Sequence, residues 1–245
     1  MVQYGKYVIY MMHDYPLVYE FLGRTAGSVL GRRAQGCVKT EELISVISNV
    51  FAPLKPLGWT ISLQQVKREI VTLLAIVRKK NVHSMMEIGT RNGGTLFLFS
   101  WTLPSDAKII SLDLPSAESL KRGYDRFKTS YLSSFIQKGQ QLTLLRGDSH
   151  RPSSLANAKS TLKGEKVDFL FIDGDHTYEG VKKDFEMYST LVRRGGLIAF
   201  HDICGHDVGI SEVDRFWYEI KTGYDHSEII EDQKQNWAGI GLLYV

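Results

Sequence analysis

The stretch that decides the fold, residues 167–203, reads VDFLFIDGDHTYEGVKKDFEMYSTLVRRGGLIAFHDI. Residues 167–172 form an apolar run of strand length, and residues 197–200 form a second one. Between them, apolar side chains recur at helical three- and four-residue steps, namely Tyr178, Val181, Phe185, Tyr188 and Leu191. Arg194-Gly195-Gly196 favours the end of that helix. The stretch therefore predicts a strand–helix–strand unit.

Each strand of this unit ends in ionisable residues. Asp173-Gly174-Asp175-His176 follows the first strand, and His201-Asp202 follows the second. Because a crossover helix joins parallel strands, both strand ends lie on the same edge of the sheet. Open α/β sheets bind their ligands in the crevice outside the carboxyl ends of the strands. We expect the chemistry of the protein in that crevice.

The rest of the chain alternates between strand and helix patterns. Strands are predicted at 84–88, 109–112, 142–145 and 240–245, and helices at 63–80, 93–102, 118–137 and 213–221. This alternation predicts an α/β fold with a doubly wound, mostly parallel, Rossmann-like sheet and one antiparallel strand added late. Residues 59–245 form the main domain. Residues 1–58 are irregular around an amphipathic helix at 40–51 that starts at Thr40, and we expect them to form a helical cap or lid.

A glycine loop, EIGTRNGGT at residues 87–95, joins the first strand to its helix. Gly89 and Gly93 allow the tight turn and a close approach of the backbone to a ligand. The loop lacks the G-x-G-x-x-G pattern of dinucleotide-binding proteins. Glu87 suits a ligand that carries a positive amino group, because a carboxylate there disfavours a pyrophosphate. Two glycines at such a turn also occur for steric reasons alone, so this alternative stays open.

Acidic residues at the next two strand ends indicate a nucleoside. Asp113 ends the second strand, where a carboxylate accepts hydrogen bonds from a ribose diol. Asp148 and Ser149 end the third strand, where they face the adenine edge. A nucleoside with a ribose and a cationic tail fits S-adenosylmethionine better than NAD. The alternative is that all three are ordinary polar strand ends.

Composition places the chain among globular proteins. It has 245 residues, 43% of them hydrophobic, with a net charge of +3, which is too small to indicate nucleic acid or a membrane surface. Two cysteines, Cys37 and Cys204, make no disulfide framework. The sequence has no signal-peptide pattern and no apolar run of roughly 20 residues. We therefore expect a cytoplasmic protein with no membrane partner.

The glycine loop, Asp113, the FIDGDHTYEGVKKDFEMY segment and the GGLIAFHDI segment resemble those of class I S-adenosylmethionine-dependent methyltransferases. The sequence is most similar to the sugar and macrolide O-methyltransferases of the macrocin and rhamnosyl types, a group that includes proteins named cephalosporin hydroxylases. The resemblance covers about residues 59–245. It implies S-adenosylmethionine as cofactor and a small hydroxylated acceptor, such as a sugar or a polyketide. A homo-oligomer is expected by family analogy.

The resemblance also implies a divalent metal, expected to be Mg²⁺. In metal-dependent members an Asp at the end of strand four and acidic residues at the end of strand five hold the cation, and a Lys or His three positions after the first Asp is the base. Carried onto this chain, Asp173 and Asp202 are ligands, Asp173 also adjoins the cofactor, and His176 is the catalytic base. His201 stands where better-known members carry a carboxylate, so it is a third ligand, a substrate contact or a packing residue.

Other interpretations remain beside this one. The early basic residues could dock RNA or a protein, which would make the chain a methyltransferase for macromolecules. A non-catalytic nucleotide-binding protein could also keep the fold. Asp202 could cap a turn, and packing is the simpler role for Tyr178 and for Trp237.

Overall fold

The computed structural model describes residues 16–50, 63–115, 126–205 and 211–245. Within them, seven strands form one sheet in the order β3-β2-β1-β4-β5-β7-β6. Strands β1 to β5 pair in parallel, whereas β7 runs antiparallel to both β5 and β6. The predicted mostly parallel sheet with a late antiparallel strand is confirmed. The strands are β1 (Ser84–Ile88), β2 (Lys108–Asp113), β3 (Gln141–Arg146), β4 (Val167–Ile172), β5 (Val192–His201), β6 (Asp225–Ile229) and β7 (Ile240–Tyr244).

Helices cover both faces of the sheet, as the alternation of side chains along β4 shows. Phe169 and Phe171 enter one buried cluster, and Leu170 and Ile172 enter the other. None of the helices among the described residues is long and apolar enough to span a membrane. The helices are α1 (Pro16–Ala34), α2 (Thr40–Val50), α3 (Lys67–Lys79), α4 (Gly94–Thr102), α5 (Arg126–Ser134), α6 (Pro152–Leu162), α7 (Tyr178–Tyr188) and α8 (Val213–Ile220).

The N-terminal helices α1 and α2 contribute to the first of these clusters. Leu30 and Leu43 are buried in it. Helix α1 lies close to α5 because glycines face it: a Cβ on Gly23 would lie 2.4 Å from the carbonyl oxygen of Phe127. The two helices thus cover residues 16–34 and 40–50, and residues 1–15 and 51–62 lie outside the described part. The cap role and the boundary at residue 58 stay predictions.

The end of helix α7 differs from the prediction. The helix ends at Tyr188, a 3₁₀ turn covers Ser189–Leu191, and β5 begins at Val192. The prediction that Arg194-Gly195-Gly196 ends the helix is therefore wrong. Val192 pairs with Val167, so β5 starts five residues before the apolar run at 197–200, with a register shift between the two parts of the pairing. The Arg193 guanidinium contacts the Asp168 carboxylate at 2.5 Å within this extension.

Three further elements differ from the sequence pattern. Helix α3 begins at Lys67 rather than at residue 63, which leaves Gln65 outside the helix. Helix α6 was not predicted because only Ser154, Ala158 and Leu162 of its residues are buried. Strand β6 was not predicted because it is a mostly exposed edge strand without apolar alternation. Of the helix predicted at 118–137, residues 126–134 form α5, and residues 118–125 lie outside the described part.

Candidate functional site

A cavity of about 630 Å³ opens at the carboxyl ends of strands β1 to β4. This is the crevice that the strand–helix–strand unit predicts. Six of the ten predicted site residues line the cavity. They are Gly89, Asp113, Asp148, Ser149, Asp173 and His176.

The glycine loop, which follows β1, packs directly against the loop after β4. Gly89 has φ +90°, and a Cβ there would lie 2.0 Å from the carbonyl oxygen of Asp173. The Asp173 N–H donates to the carbonyl oxygen of Ile88 at 2.9 Å. Gly93, at φ +77°, faces Leu132 instead, and a Cβ would lie 2.3 Å from that side chain. Gly89 thus shapes the cavity, whereas Gly93 shapes the packing of α4 behind it.

Glu87 lies beneath the loop and is fully buried. Its Oε2 accepts a hydrogen bond from the Thr90 hydroxyl at 2.7 Å. Burial raises the pKa of Glu87 to about 8, against the opposing effect of hydrogen bonds from Thr95 and Thr90. The side chain does not line the cavity, so a direct contact with a cofactor amino group stays a prediction. In the structure, Glu87 stabilises the glycine loop through its hydrogen bond with Thr90.

Asp113 is held in place at the end of β2. Its Oδ2 accepts from the Arg91 N–H at 3.0 Å and from the Lys128 ammonium at 3.2 Å, while Oδ1 accepts from the Leu114 N–H at 3.0 Å. Burial raises the pKa of Asp113, and Lys128 opposes that rise. Lys128 was missed because it lies on a predicted helix, where a lysine is usually solvated. Asp113 lines the cavity where a ribose was predicted.

The end of β3 carries a histidine that the sequence reasoning missed. His150 lines the cavity beside Asp148, whose Oδ1 accepts the His150 backbone N–H at 2.9 Å. The His150 Nε2 lies 3.3 Å from a carboxylate oxygen of Asp184, which is fully buried on α7. Hydrogen bonding to Asp184 raises the pKa of His150, despite partial burial. Its position directly after Asp148 and Ser149 was the available signal.

The three predicted metal ligands come together at the ends of β4 and β5. Ligand atoms of Asp173, His201 and Asp202 all lie within 4.8 Å of one another. The His201 Nδ1 is 3.3 Å from an Asp173 oxygen and 3.1 Å from an Asp202 oxygen. The other Asp202 oxygen is 2.7 Å from the Nδ1 of His176. Asp202 adopts a left-handed backbone conformation, φ +64°, a conformation that is uncommon outside glycine and concentrates at functional sites.

The charges of this cluster depend on each other. Burial lowers the pKa of His201, but Asp173 and Asp202 outweigh burial and raise it to about 10. Hydrogen bonds from His176 and His201 outweigh the burial of Asp202 and hold its pKa well below the usual range. The hydrogen bond to Asp202 also raises the pKa of His176 against the effect of burial. The raised pKa of His201 favours the protonated ring at neutral pH, and its Nδ1 lies between the two carboxylates.

The cluster fits a divalent cation by its donor set. Two carboxylates and one imidazole converge there, and because an imidazole ligand must be deprotonated, a cation would displace a proton of His201. Magnesium prefers oxygen ligands, whereas an imidazole suits iron, nickel, copper or zinc better. His201 therefore lies where a third ligand would lie, and its role as a ligand stays a prediction.

Gln65 holds one of these carboxylates, and the sequence reasoning missed it. Its Nε2 donates to the Asp173 Oδ2 at 2.9 Å, and the side chain is buried. This leaves the Asp173 Oδ1 facing His201. No local pattern points to Gln65, because its partner lies 108 positions away and Gln65 falls within the helix predicted at 63–80.

Comparison with known proteins shows that this chain is similar to methyltransferases. Residues 86–203 match the family model described as "Methyltransferase domain". An uncharacterised protein of Acanthamoeba polyphaga mimivirus is 29% identical over 137 residues, which cover 54% of this chain and 57% of that protein. The tapetum-specific methyltransferase 1 of Arabidopsis thaliana is 28% identical over 138 residues, which cover 54% and 52%. The chain spans about half the length of the curated relatives it matches.

Solved structures share the fold at low identity. An O-methyltransferase from Bacillus cereus in complex with S-adenosylhomocysteine (SAH) aligns with a TM-score of 0.57 at 14% identity. The alignment covers 91% of this chain and 100% of that one. An O-methyltransferase from Streptomyces achromogenes involved in tomaymycin synthesis, in complex with SAM, aligns with a TM-score of 0.54 at 15% identity, covering 82% and 88%. These likenesses show the Rossmann-like fold of methyltransferases.

Proposed function

Because residues 86–203 match a methyltransferase domain model, we propose that this chain is a class I S-adenosylmethionine-dependent methyltransferase that methylates a hydroxyl of a small molecule with the help of a divalent cation. One observation carries this proposal. The Asp173, His201 and Asp202 cluster and the imidazole of His176 converge beside the cavity, at the edge of the sheet. The tomaymycin-synthesis enzyme with the same fold is an O-methyltransferase, which supports a small hydroxylated acceptor.

We assign the cofactor to the cavity between β1 and β4. When bound, S-adenosylmethionine supplies a methyl group on a positively charged sulfur. Asp113 would accept hydrogen bonds from the ribose hydroxyls, and Asp148 and Ser149 would contact the adenine. Gly89 would let the backbone approach the cofactor, because the site beside it has no room for a side chain. A volume of about 630 Å³ lies within the range of small-ligand pockets.

Asp173, His201 and Asp202 would hold the cation. When bound, a divalent cation lowers the pKa of an acceptor hydroxyl and orients it. Gln65 fixes the direction of the Asp173 carboxylate through its hydrogen bond to Oδ2. This arrangement provides the positioning on which methyl transfer from a sulfonium mainly depends.

His176 would take the proton from the acceptor hydroxyl. Its Nδ1 lies 2.7 Å from Asp202, so in the neutral form of the ring the Nδ1–H would donate to that carboxylate and the lone pair would lie on Nε2. The side chain is 42% exposed, which leaves the ring accessible from the cavity side. Asp202 therefore has two roles in the proposal, because it would bind the cation with one oxygen and orient the base with the other.

The proposal is tested by methyl transfer from tritiated S-adenosylmethionine to a panel of catechols, phenols and sugars. Purified protein is assayed with EDTA, then with Mg²⁺, Mn²⁺ or Zn²⁺ restored. We expect transfer that EDTA abolishes and a metal restores. The variants His176→Gln and Asp202→Asn should lose at least about 100-fold in kcat/KM. Full activity in EDTA would overturn the metal assignment, and labelling of RNA or protein instead of the panel would overturn the small-molecule acceptor.

A further inference from the structure

Helix α8 begins beside the loop that carries His176. Glu212 directly precedes Val213, the first residue of this helix. The Glu212 backbone N–H donates to the carbonyl oxygen of His176 at 2.8 Å, and the Glu212 Oε2 accepts from the N–H of Tyr178 at 3.2 Å. Glu212 thus binds the two peptide groups that flank Thr177, directly after the residue that carries the imidazole.

Helix α8 is a rigid support for this contact because its inner face belongs to the core. Phe216 and Trp217 are buried. The Phe216 ring packs against the Phe200 ring of β5, with centroids 6.0 Å apart, and against the Phe185 ring of α7, with centroids 5.8 Å apart. The start of α8 is therefore fixed relative to the strand and the helix that border the site.

His176 is held through its side chain and through its backbone by two different elements. The Asp202 carboxylate at the end of β5 lies 2.7 Å from the Nδ1 of the ring, and Glu212 at the start of α8 binds the carbonyl group. Contacts within the loop, such as the one from the Thr177 N–H to the Asp175 Oδ1 at 2.9 Å, shape the turn itself. Asp202 and Glu212 instead connect the turn to β5 and α8.

We infer that Glu212 is a positioning residue for His176. This inference rests on the proposed function, in which His176 takes the proton of the acceptor hydroxyl. A general base acts only within hydrogen-bond reach of that proton, so a small displacement of its backbone lowers the rate. The Glu212 carboxylate is 50% exposed, and water and salt screen its charge. We therefore expect Glu212 to act through its hydrogen bond rather than through its charge.

The test compares Glu212→Ala, which removes the side-chain acceptor, with Glu212→Gln, which keeps an acceptor oxygen without the charge. We expect Glu212→Ala to lower kcat for methyl transfer about tenfold with an unchanged KM for S-adenosylmethionine, and Glu212→Gln to stay within about threefold of the wild type. Asp214→Ala is the matched control and should keep the wild-type kcat. Asp214 has the same charge in the first turn of the same helix, and no hydrogen bond joins it to the described part of the chain. Equal losses in Glu212→Ala and Glu212→Gln would overturn positioning by the hydrogen bond.

A double-mutant cycle tests whether Glu212 acts through the base. In a His176→Gln background, Glu212→Ala should lower the residual kcat by less than about twofold, because the group that it positions is already missing. The same tenfold loss in both backgrounds would overturn the positioning role, since Glu212 would then act independently of His176.

NMR separates this inference from the proposed function. In protein with ¹³C-labelled histidine, the ring signal of His176 is identified by its loss in His176→Gln. We expect Glu212→Ala to shift or broaden that signal and Asp214→Ala to leave it unchanged, and neither result requires a known acceptor. An unchanged His176 signal in Glu212→Ala would overturn the positioning role. A folded wild type that neither binds SAH nor transfers a methyl group would overturn the proposed function instead.

Discussion

The carboxylates at the ends of β1 to β3 and those at the ends of β4 and β5 are matched by different partners. Asp113 accepts the backbone N–H groups of Arg91 and Leu114 besides the Lys128 ammonium, and Asp148 accepts the backbone N–H of His150. Asp173 and Asp202 are matched by side chains, namely His176, His201 and Gln65. Backbone donors are fixed once the loop folds, whereas imidazoles exchange protons and can give way to a cation. The first half of the site is thus suited to holding a cofactor and the second half to chemistry.

Burial raises the pKa of the acidic residues in both halves, but it decides the outcome only where no cationic partner opposes it. Glu87 is buried without a cationic partner, and its pKa rises to about 8. Asp202 is also largely buried, but two histidines lower its pKa. The difference shows that burial alone does not decide the charge of a carboxylate in this crevice. The identity of the neighbouring side chain decides it.

The largest predicted effect is that of Gly89→Ala, which disrupts the contact between the two halves. Gly89 has φ +90° and touches the Asp173 backbone, so an added methyl group meets both backbone strain and overlap at 2.0 Å. We expect a loss of roughly 3–5 kcal/mol in the free energy of unfolding, measured in urea. Gly164→Ala is the matched control, because Gly164 has φ +88° with open space around it. It should lose only about 1–2 kcal/mol, and equal losses would contradict the contact.

A second prediction concerns the protonation of Glu87. Its folded-state pKa of about 8 lies above the ordinary value of 4.5, so the stabilisation is full below pH 4.5 and is lost as the pH rises through 8. Between pH 5 and pH 9 the wild type should lose roughly 2–4 kcal/mol of unfolding free energy relative to Glu87→Gln. Glu165→Gln, at an exposed glutamate, should keep the wild-type slope. Parallel curves for wild type and Glu87→Gln would show that Glu87 is charged.

The smallest predicted effect tests whether Gln65 positions the Asp173 carboxylate in the second half of the site. Replacing Gln65 by leucine removes the donor to Asp173 and should weaken Mn²⁺ binding about tenfold in calorimetric titration, while SAH binding stays unchanged. Gln64→Leu is the matched control, because Gln64 is the exposed neighbour. Its Mn²⁺ affinity should match that of the wild type. If both variants bind Mn²⁺ equally well, Gln65 does not position Asp173.

The cofactor half was easier to predict from sequence than the metal half. A glycine loop and an acidic strand end are local patterns, and the structure places Gly89 and Asp113 on the same cavity. Glu87 and Gly93 carry the same pattern but lie behind the cavity wall, since the pattern does not reveal on which side of the strand a residue faces. In the metal half, Asp173, His201 and Asp202 were found because both strand ends open on one edge.

What the sequence could not show were contacts between distant segments. Gln65 and Glu69 act on residues more than 100 positions away, and no local periodicity reports such a contact. His150 depends on Asp184, which has the pattern of a solvated helix residue but is fully buried. The predicted end of helix α7 was wrong for a related reason. Val192 pairs with Val167 in the sheet, so the helix ends at Tyr188, before it reaches Arg194-Gly195-Gly196.

The division of labour between the two halves is tested most directly by calorimetric titration of SAH into the wild type, Asp113→Ala and Asp202→Asn, each confirmed to be folded. We predict micromolar binding to the wild type without metal, binding weakened at least about tenfold by Asp113→Ala, and binding unchanged in Asp202→Asn. No binding to the folded wild type, or equal weakening by both variants, would contradict the assignment of the cofactor to the β1–β3 half.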